Sequence, residues 1–451
     1  FNDLGGTPVS ASRQLIRDWL KNDLDWNGFV VSDWGSIYDL MGHRVAGDER
    51  EAALKGLTAG IDMEMLAGIY QRELSHLIDE GNIPEDWLDD AVRRILNAKF
   101  RAGLFETPYT DPDTAKKVMR SPEHVRLAEK LATESIVLLK NDRNRLPIQK
   151  DVKNVAVIGP YAEVRREHLG SWCLDGRAQD VTTILEGLRS AAPDKEFSTC
   201  NPAFSDHCLR TARKADLTIL CLGESHLRNG ENNSSAELAL PPGQEALLEV
   251  LAQLEIPLIL VDCSGRYFPI PTADLYADAW VHAGSLSTEA GTAIARILLG
   301  HANPAGKLPV SIPRSTGHIP TYYNRKTPGK ARSIGDEYRG YEDALPSSKY
   351  PFAYGLSYTD FEISDILLSA QKLRKEETVT VSCVVKNTGS RAGTEVVQLY
   401  IQDCVSSTSR PERELKAFER IYLDAGHSSK VEFPVDTEML AFYTARKKWE
   451  V

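Results

Sequence analysis

A carboxylate directly follows a short apolar run near the beginning of the chain. Residues 29–31 (FVV) predict a buried strand, and Asp33 comes just past its carboxyl end, with Trp34 beside it. In α/β folds, side chains at the carboxyl ends of parallel strands form the active sites. Asp33 could therefore act as a nucleophile, a base or a metal ligand, and Trp34 offers an apolar face on which a sugar ring can stack. Asp33 could equally cap the helix that follows.

A second group of reactive side chains lies in a long polar loop at 223–235. This loop follows an apolar strand at 217–220 and precedes a helix introduced by Pro-Pro-Gly-Gln at 241–244. It contains two carboxylates, Glu224 and Glu231, and one imidazole, His226. Taken alone, such a loop is more often a solvated surface segment. Glu224, at the end of the strand, could also be a structural hydrogen-bonding group.

Other catalytic patterns are missing from the sequence. The ten histidines form no HExxH or HxxxH motif, and the seven cysteines form no CxxC motif, so no zinc site is predicted. The run VAVIGP at 155–160 lacks the second and third glycines of a dinucleotide-binding turn, and Ser264 is not in a GxSxG motif. We therefore predict neither a metal nor an organic cofactor. The odd and scattered cysteines predict no disulfide framework.

Composition excludes two further classes. The formal net charge is −11, whereas contact with nucleic-acid phosphates needs a basic surface, so we predict no nucleic-acid partner. No stretch approaches 18 apolar residues, which argues against a membrane-spanning helix. A chain of 451 residues has room for about three domains.

The region that must position Asp33 alternates helices and strands. Apolar spacing predicts helices at 13–22, 49–59 and 86–102, with strands at 29–31 and 61–63. This β-α-β-α order favours parallel strands. We assign 1–105 to part of a (β/α) barrel, because only about two such units fit and they are too few to close one. The proline-rich stretch 106–139 is interpreted as a linker that leads into a helix and a strand.

The region that must position the loop is a second α/β domain, assigned to 140–312. Continuous apolar runs predict strands at 155–158, 217–220 and 258–261, as in a parallel sheet covered on both faces. From 346 to 451 the pattern changes to alternating strands separated by turns, which predicts an antiparallel β-sandwich. Residues 313–345 are interpreted as a connector rich in proline and glycine.

Five motifs, in the same order, resemble those of glycoside hydrolase family 3. The resemblance covers essentially the whole chain and implies a multidomain α/β fold: a partial (β/α) barrel, an α/β sandwich with a mostly parallel sheet, and a C-terminal fibronectin type III-like β-sandwich. The motifs are GFVVSD (28–33), AGIDMEM (59–65), SIVLLKN (135–141) with LP at 146–147, NPAGKLP (303–309) with IPTYYN (319–324), and YPFAYGLSY (350–358).

The resemblance also implies roles for individual residues. Asp33 matches the nucleophile of a retaining enzyme and Glu231 best matches the acid/base, with Glu224 as the runner-up. A retaining enzyme needs these carboxyl groups ~5–5.5 Å apart. Trp34 and Trp172 resemble walls of the sugar-binding cleft, although Trp172 could equally be core packing. The mechanism requires no metal.

The implied activity is that of an exo-acting β-glucosidase, which hydrolyses terminal β-D-glucosyl residues of a β-glucoside or short oligosaccharide through a covalent glycosyl-enzyme. A β-xylosidase of the same family and a non-catalytic carbohydrate-binding fragment are the alternatives; cleavage of β-N-acetylglucosamine is less favoured. The resemblance further implies an N-terminal polypeptide that completes the barrel, and we expect a homodimer as one form of assembly. The compartment is left open, with a preference for the periplasm or secretion.

Overall fold

The computed structural model describes residues 1–203, 205–326 and 341–451. The chain divides into two compact units, Phe1–Met119 and Arg120–Val451. Each unit has its own buried apolar residues and is described by itself.

The first unit carries a parallel strand pair covered by helices. Strands β3 (Val31–Trp34) and β4 (Met63–Met65) pair in parallel, with Val31 opposite Met63. The core is formed by Ile37, Leu57, Ile69 and Leu77, all almost fully buried. The other elements are β1 (Asp3–Leu4), β2 (Thr7–Pro8), a helix with π-type turns (Gln14–Asp23), α1 (Asp39–Gly42), α2 (Glu49–Ala59), α3 (Ile69–Asp79), α4 (Glu85–Arg101) and α5 (Pro112–Val118).

Local sequence explains why α2 begins and ends where it does. The Asp48 carboxylate accepts a hydrogen bond from the Glu51 backbone N–H, so it satisfies one of the free donors at the amino end. At the carboxyl end, Gly60 adopts φ 106°, a left-handed conformation that glycine reaches without steric cost. The predicted helix at 49–59 and the observed one coincide.

The second unit is built on a six-stranded mixed sheet in the order β5-β10-β9-β8-β6-β7. Only β5 runs antiparallel to its neighbour. Strands β8 and β9 are buried along their whole length, which explains their continuous apolar sequences. The strands are β5 (Val137–Asn141), β6 (Asn154–Ile158), β7 (Glu196–Thr199), β8 (Leu217–Gly223), β9 (Leu258–Cys263) and β10 (Ala279–His282).

Helices cover both faces of this sheet. The helices Ile184–Ala191 and Ala290–Leu298 pack closely against each other. An added Cβ at Gly187 of the first would lie 2.1 Å from the carbonyl oxygen of Gly291 in the second, so glycine is required at 187. The helices are α6 (Pro122–Ser135), α7 (Ile184–Ala191), α8 (Ser205–Ala212), α9 (Gln244–Ala252), α10 (Pro271–Tyr276) and α11 (Ala290–Leu298).

A β-sandwich forms the carboxyl-terminal part of the second unit. One sheet has the order β11-β12-β15 and the other pairs β13 with β14, all antiparallel. Val385, Val397, Leu423 and Val431 lie in the core between them. The elements are β11 (Phe361–Leu368), β12 (Thr378–Asn387), β13 (Gly393–Ile401), β14 (Glu414–Leu423), β15 (Ser428–Asp436), α12 (Thr437–Leu440), β16 (Phe442–Tyr443) and β17 (Trp449–Glu450).

The structure confirms the predicted multidomain α/β fold and adds detail that the sequence did not predict. It pairs Cys200 with Cys208 in a disulfide, against the expectation of no disulfide framework. Strands β7 and β10 were not predicted, because their sequences, EFST and AWVH, are not continuous aliphatic runs. The predicted linker 106–139 consists largely of regular structure, since it contains helices α5 and α6 and the beginning of β5. The domain boundaries stay predictions, and residues 327–340 of the predicted connector lie outside the described residues.

Candidate functional site

Asp33 is the third residue of β3, and not just past the end of a buried strand as predicted, because the strand begins at Val31 and is mostly exposed; the Asp33 side chain is exposed as well. Its Oδ1 accepts a hydrogen bond of 2.6 Å from the Trp34 backbone N–H, which fixes the orientation of the carboxylate relative to the strand. Gly35 follows with φ 68°, so the chain turns sharply away after Trp34. Trp34 is 62% exposed, so its ring is accessible to a ligand.

A buried ion pair anchors the strand that carries Asp33. The Lys21 Nζ donates to Asp62 Oδ1 at 2.6 Å, and both side chains are almost inaccessible to solvent. Asp62 Oδ2 accepts the backbone N–H of Val30, the residue before β3, at 2.8 Å. A second link is made by Ser32 Oγ, which accepts the Met65 N–H of β4 at 2.9 Å. These contacts tie Val30 and Ser32 to the segment 62–65, which includes β4.

The two glutamates of the loop after β8 have different surroundings. Glu224 is 2% exposed, and its carboxylate forms an ion pair with Arg266 and a longer one with Arg228 at 3.7 Å. The Asn229 amide lies 3.5 Å from the second oxygen of Glu224. Glu224 is therefore surrounded by partners that hold its carboxylate beneath the loop.

Glu231 is exposed, and its carboxylate has no hydrogen bond or ion pair to any residue that the structure describes. Gly230 before it adopts φ 95°, and an added Cβ would lie 2.6 Å from Ser171 Oγ, so the loop here contacts the chain beside Trp172. Arg266, which binds Glu224, also donates to the Asn233 carbonyl. One guanidinium thus holds the loop on both sides of Glu231.

A polar cavity of about 520 Å³ lies beside this loop. Trp172, 67% exposed, lines it together with Asn229 and Gly230, so the structure brings the predicted cleft wall and the residue before Glu231 to one cavity. The exposure of Trp172 also excludes the alternative of core packing.

Sequence reasoning missed a buried polar group in the wall of this cavity. Asp262 Oδ1 accepts a hydrogen bond of 2.6 Å from Ser264 Oγ, and Asp262 Oδ2 lies 2.8 Å from His282 Nδ1. Asp262 is the fifth residue of β9 and His282 is the last of β10, so the two adjacent strands bring them together. The signal was a polar residue at the carboxyl end of each apolar strand.

Asp33 and Trp34 belong to the first compact unit, and the loop, Trp172 and the cavity belong to the second. Chemically, the first unit offers an exposed, backbone-oriented carboxylate. The second offers the Glu231 carboxyl group, which has no protein partner in the described part of the chain. The residue before it, Gly230, lines a cavity with aromatic and hydroxyl-bearing walls. Among the described residues, no group of three or more His, Cys, Asp or Glu side chains is arranged to hold a metal ion. In the same part of the chain, every helix is too short or too polar to span a bilayer.

Family comparisons match three segments of the chain. Residues 1–98 match the glycosyl hydrolase family 3 N-terminal domain, and residues 136–358 match the glycosyl hydrolase family 3 C-terminal domain. Together these two segments cover more than two thirds of the chain. Residues 395–451 match the fibronectin type III-like domain.

Individual proteins show the same similarity. The chain is 36% identical to a periplasmic beta-glucosidase of Salmonella typhimurium over 100% of its own length and 64% of that protein, and 32% identical to a beta-xylosidase of Formosa agariphila over 97% and 63%. A mutant beta-glucosidase of Listeria innocua in complex with laminaribiose superimposes with a TM-score of 0.95 at 34% identity, covering 100% of this chain and 63% of that one. The chain therefore spans about three fifths of the length of these relatives.

Proposed function

Because this chain belongs to glycoside hydrolase family 3, we propose that it supplies both catalytic carboxyl groups of a retaining, exo-acting β-glucosidase. The substrate is a β-glucoside or short oligosaccharide, from which a terminal non-reducing β-D-glucosyl residue is removed. The observation that carries this proposal is the exposed Asp33 carboxylate, which β3 presents just where α/β folds place catalytic groups.

Asp33 is the proposed nucleophile. The Trp34 N–H occupies Oδ1, and no described residue donates a hydrogen bond to Oδ2. In its ionised form Asp33 attacks the anomeric carbon, and the bond to the leaving oxygen breaks as the bond to the carboxylate forms. The exposed indole of Trp34 lies next to this carboxylate in the chain and supplies an apolar face for the sugar.

Glu231 is the proposed acid/base. In its protonated form it donates a proton to the leaving oxygen; as a carboxylate it then accepts a proton from the water that hydrolyses the glycosyl-enzyme. These exchanges need a carboxyl group that is free to gain and lose a proton. Glu231 supports this role because its carboxylate is exposed and has no partner among the described residues, whereas the Glu224 carboxylate forms ion pairs with Arg266 and Arg228.

The direct test is covalent trapping. The full-length protein is incubated with a 2-fluoro-β-glucoside, digested and examined by mass spectrometry. We expect one adduct on the peptide that contains Asp33, and none in an Asp33→Asn variant. An active protein labelled on another carboxylate would contradict the assignment. An active protein that forms no adduct would contradict the retaining mechanism.

A β-xylosidase is the second candidate, favoured by the similarity to the Formosa agariphila protein. The two activities differ in the hydroxymethyl group of the glucosyl ring. Comparison of kcat/KM for 4-nitrophenyl β-glucoside and 4-nitrophenyl β-xyloside separates them. A protein that binds sugars but hydrolyses neither substrate would instead be the carbohydrate-binding fragment that the sequence left as an alternative.

We further propose that a preceding polypeptide completes the barrel of the first unit. Neither β3 nor β4 has a second strand neighbour among the described residues, and Val31, Met63 and Met65 are exposed. Open edges with apolar side chains favour pairing with additional strands. The greater length of the relatives also supports this proposal.

The proposed location is the periplasm or the secreted fraction. The Cys200–Cys208 disulfide supports it, because such bonds persist mainly in oxidising compartments. The name of the Salmonella typhimurium relative agrees. Fractionation of the native host tests this location, and light scattering of the purified protein tests the proposed homodimer.

A further inference from the structure

The cavity beside the Glu231 loop is built at the carboxyl edge of the parallel strands. Segments that follow β6, β8, β9 and β10 each contribute a wall, represented by Trp172, Asn229, Gly265 and Ser285. Open α/β sheets bind ligands at this edge, because the loops there diverge and leave a crevice. Its volume of about 520 Å³ is within the range of small-molecule sites.

The polar group in its wall presents one defined hydrogen-bonding atom. Asp262 is 1% exposed and accepts from Ser264 and His282, which are also buried. The Asp262 carboxylate fixes a proton on His282 Nδ1, so in the neutral imidazole Nε2 is the hydrogen-bond acceptor. His282 lines the cavity, and its Nε2 forms no hydrogen bond with any residue in the described part of the chain.

Tyr267 holds the imidazole from its face. The two ring centroids lie 4.4 Å apart, and Tyr267 also lines the cavity. The ring of His282 is therefore fixed on two sides, by Asp262 in its plane and by Tyr267 above it. Such fixation is typical of a residue that selects a ligand by the position of a single hydrogen bond.

The lining specifies the class of ligand. It contains no lysine or arginine, so it offers no cation to a phosphate or carboxylate. It does contain the exposed indole of Trp172, the hydroxyl-bearing residues Ser171 and Ser285, and the Asn229 amide. Aromatic faces combined with neutral donors and acceptors suit an uncharged ring that has hydroxyl groups at its edge and C–H groups on its face.

We propose that this cavity binds the leaving-group sugar of a β-linked oligosaccharide, and that His282 Nε2 selects it by accepting a hydrogen bond from one of its hydroxyl groups. The inference rests on the proposed function, because it assigns the sugar beyond the cleaved bond to the cavity lined by Gly230, the residue before Glu231. Asp262, Ser264 and Tyr267 act as positioning residues through His282.

The test compares two substrates in the full-length protein. Laminaribiose has a leaving-group sugar, whereas β-D-glucosyl fluoride has none. In His282→Ala, we expect kcat/KM for laminaribiose to fall about tenfold, the effect of one lost hydrogen bond. The loss on the fluoride should be several times smaller. His282→Gln, whose side-chain oxygen can accept a hydrogen bond, should recover part of the laminaribiose activity. The exposed His207 is the matched control, and His207→Ala should leave both values unchanged.

Each remaining outcome decides between the proposals. Equal losses on both substrates, or no loss, would overturn the role of His282 while leaving the proposed function intact. A wild-type protein that hydrolyses neither substrate would overturn the proposed function and this inference with it. If His282→Ala does not fold, Trp172→Ala replaces it, because that side chain is 67% exposed and supports little packing. A loss selective for laminaribiose is again expected, and equal losses would overturn the site.

Discussion

Glu224 and Glu231 belong to one loop, yet their carboxylates meet different environments. The first is buried against two guanidinium groups, and the second faces solvent beside a cavity wall. A proton can be exchanged with a substrate only by a group that the substrate can reach. We therefore keep Glu231 as the proposed acid/base, whereas Glu224 is an internal ion-pair partner.

Substitution of the two glutamates should give distinct kinetic patterns. We expect Glu231→Ala to lower kcat/KM about 10²–10⁴-fold on glucosides with poor leaving groups, because proton donation is lost. Glucosides with good leaving groups should be affected much less, and azide should restore turnover by replacing the activated water. Steady-state kinetics with a series of aryl glucosides measures both effects.

The matched variant Glu224→Gln should behave differently. Removal of the buried charge leaves Arg266 without its ionic partner, so we expect a loss of about 3 kcal/mol in the free energy of unfolding. Activity should fall to a similar extent on all leaving groups, without rescue by azide. Azide rescue in Glu224→Ala, together with its absence in Glu231→Ala, would exchange the two assignments.

His168 makes the stability of the second unit dependent on pH. Burial lowers the pKa of His168 to about 4, and neither ring nitrogen has a hydrogen-bond partner among the described residues. The unfolded chain binds a proton near pH 6.5, so between these two values it holds more protons than the folded chain. The stability contribution is complete above pH 6.5 and is lost as the pH falls towards 4, by up to about 3 kcal/mol.

Replacement of His168 by leucine should flatten this dependence. Urea unfolding of His168→Leu is expected to give similar free energies at pH 7 and pH 4.5, after subtraction of the change common to both proteins. At pH 7 the variant should be at least as stable as the wild type, since two unpaired polar atoms are removed. A wild-type slope that persists in the variant would assign the dependence to other groups.

At the residue scale, sequence reasoning selected candidate residues that lie near strand ends or within family motifs. Asp33 and Glu231 were selected because each matches a family motif, Asp33 within β3 and Glu231 in the loop after β8, and their roles stay predictions. The Asp262–His282 contact could not be predicted, since the residues are 20 positions apart and form no known motif. The contact exists only because β9 and β10 are neighbours in register.

At the scale of elements, β3 depends on a polar contact beneath it. The Lys21–Asp62 pair is buried, and Asp62 also accepts the N–H of Val30. A buried charge that loses its partner is costly, because solvent cannot replace the lost interaction. The placement of Asp33 therefore relies on a helix residue and on the residue just before β4.

Separate and combined substitutions should show this coupling. We expect Lys21→Met and Asp62→Asn each to lower the free energy of unfolding by about 3–5 kcal/mol, because each leaves one buried charge unpaired. The double variant should lose less than the sum of the two. Denaturant unfolding measures the cycle, and the rate of labelling at Asp33 reports the effect on the strand.

The exposed pair Lys116–Asp113 provides the control for this cycle. Its side chains are accessible to water, so Lys116→Met should change stability by less than about 1 kcal/mol. Strictly additive losses at Lys21 and Asp62 would show that the buried pair is not coupled.

Element prediction succeeded where local signals were strong. The helix at 49–59 has Asp48 and Gly60 at its two ends, and the fully buried strands have continuous apolar runs. Strands β7 (EFST) and β10 (AWVH) lack such a signal, since neither is a continuous aliphatic run. The bridge between Cys200 and Cys208 was missed because spacing alone does not show that β7 and α8 bring the two cysteines together.

At the scale of the whole molecule, the first unit leaves apolar surface uncovered. Trp19, Val31, Met63 and Met65 are all exposed, and β3 and β4 have open edges in the part of the chain that is described. Covering such side chains stabilises a protein by about 25 cal/mol for each Å² of apolar area that is removed from water. The proposed additional barrel strands would provide this cover.

Addition of a preceding barrel segment should therefore be measurable without any substrate. Relative to the 451-residue chain, the extended protein is expected to bind less of the hydrophobic dye ANS and to unfold at a temperature higher by at least about 5 °C. Fluorescence and differential scanning calorimetry record the two quantities. Equal dye binding and equal unfolding temperatures would contradict the proposed completion of the barrel.

The attachment of the Glu231 loop has a consequence for evolution. Arg266 contacts the loop at Glu224 and again at the Asn233 carbonyl, and the buried strand β8 packs independently of the residues between these two points. Insertions between Glu224 and Asn233 would change the contacts of the loop without destabilising the sheet. Related proteins could thus diverge in the sequence of this segment. A homologous loop could also be grafted as one unit, provided that Arg266, Glu224 and the residue at 233 are transferred together with it.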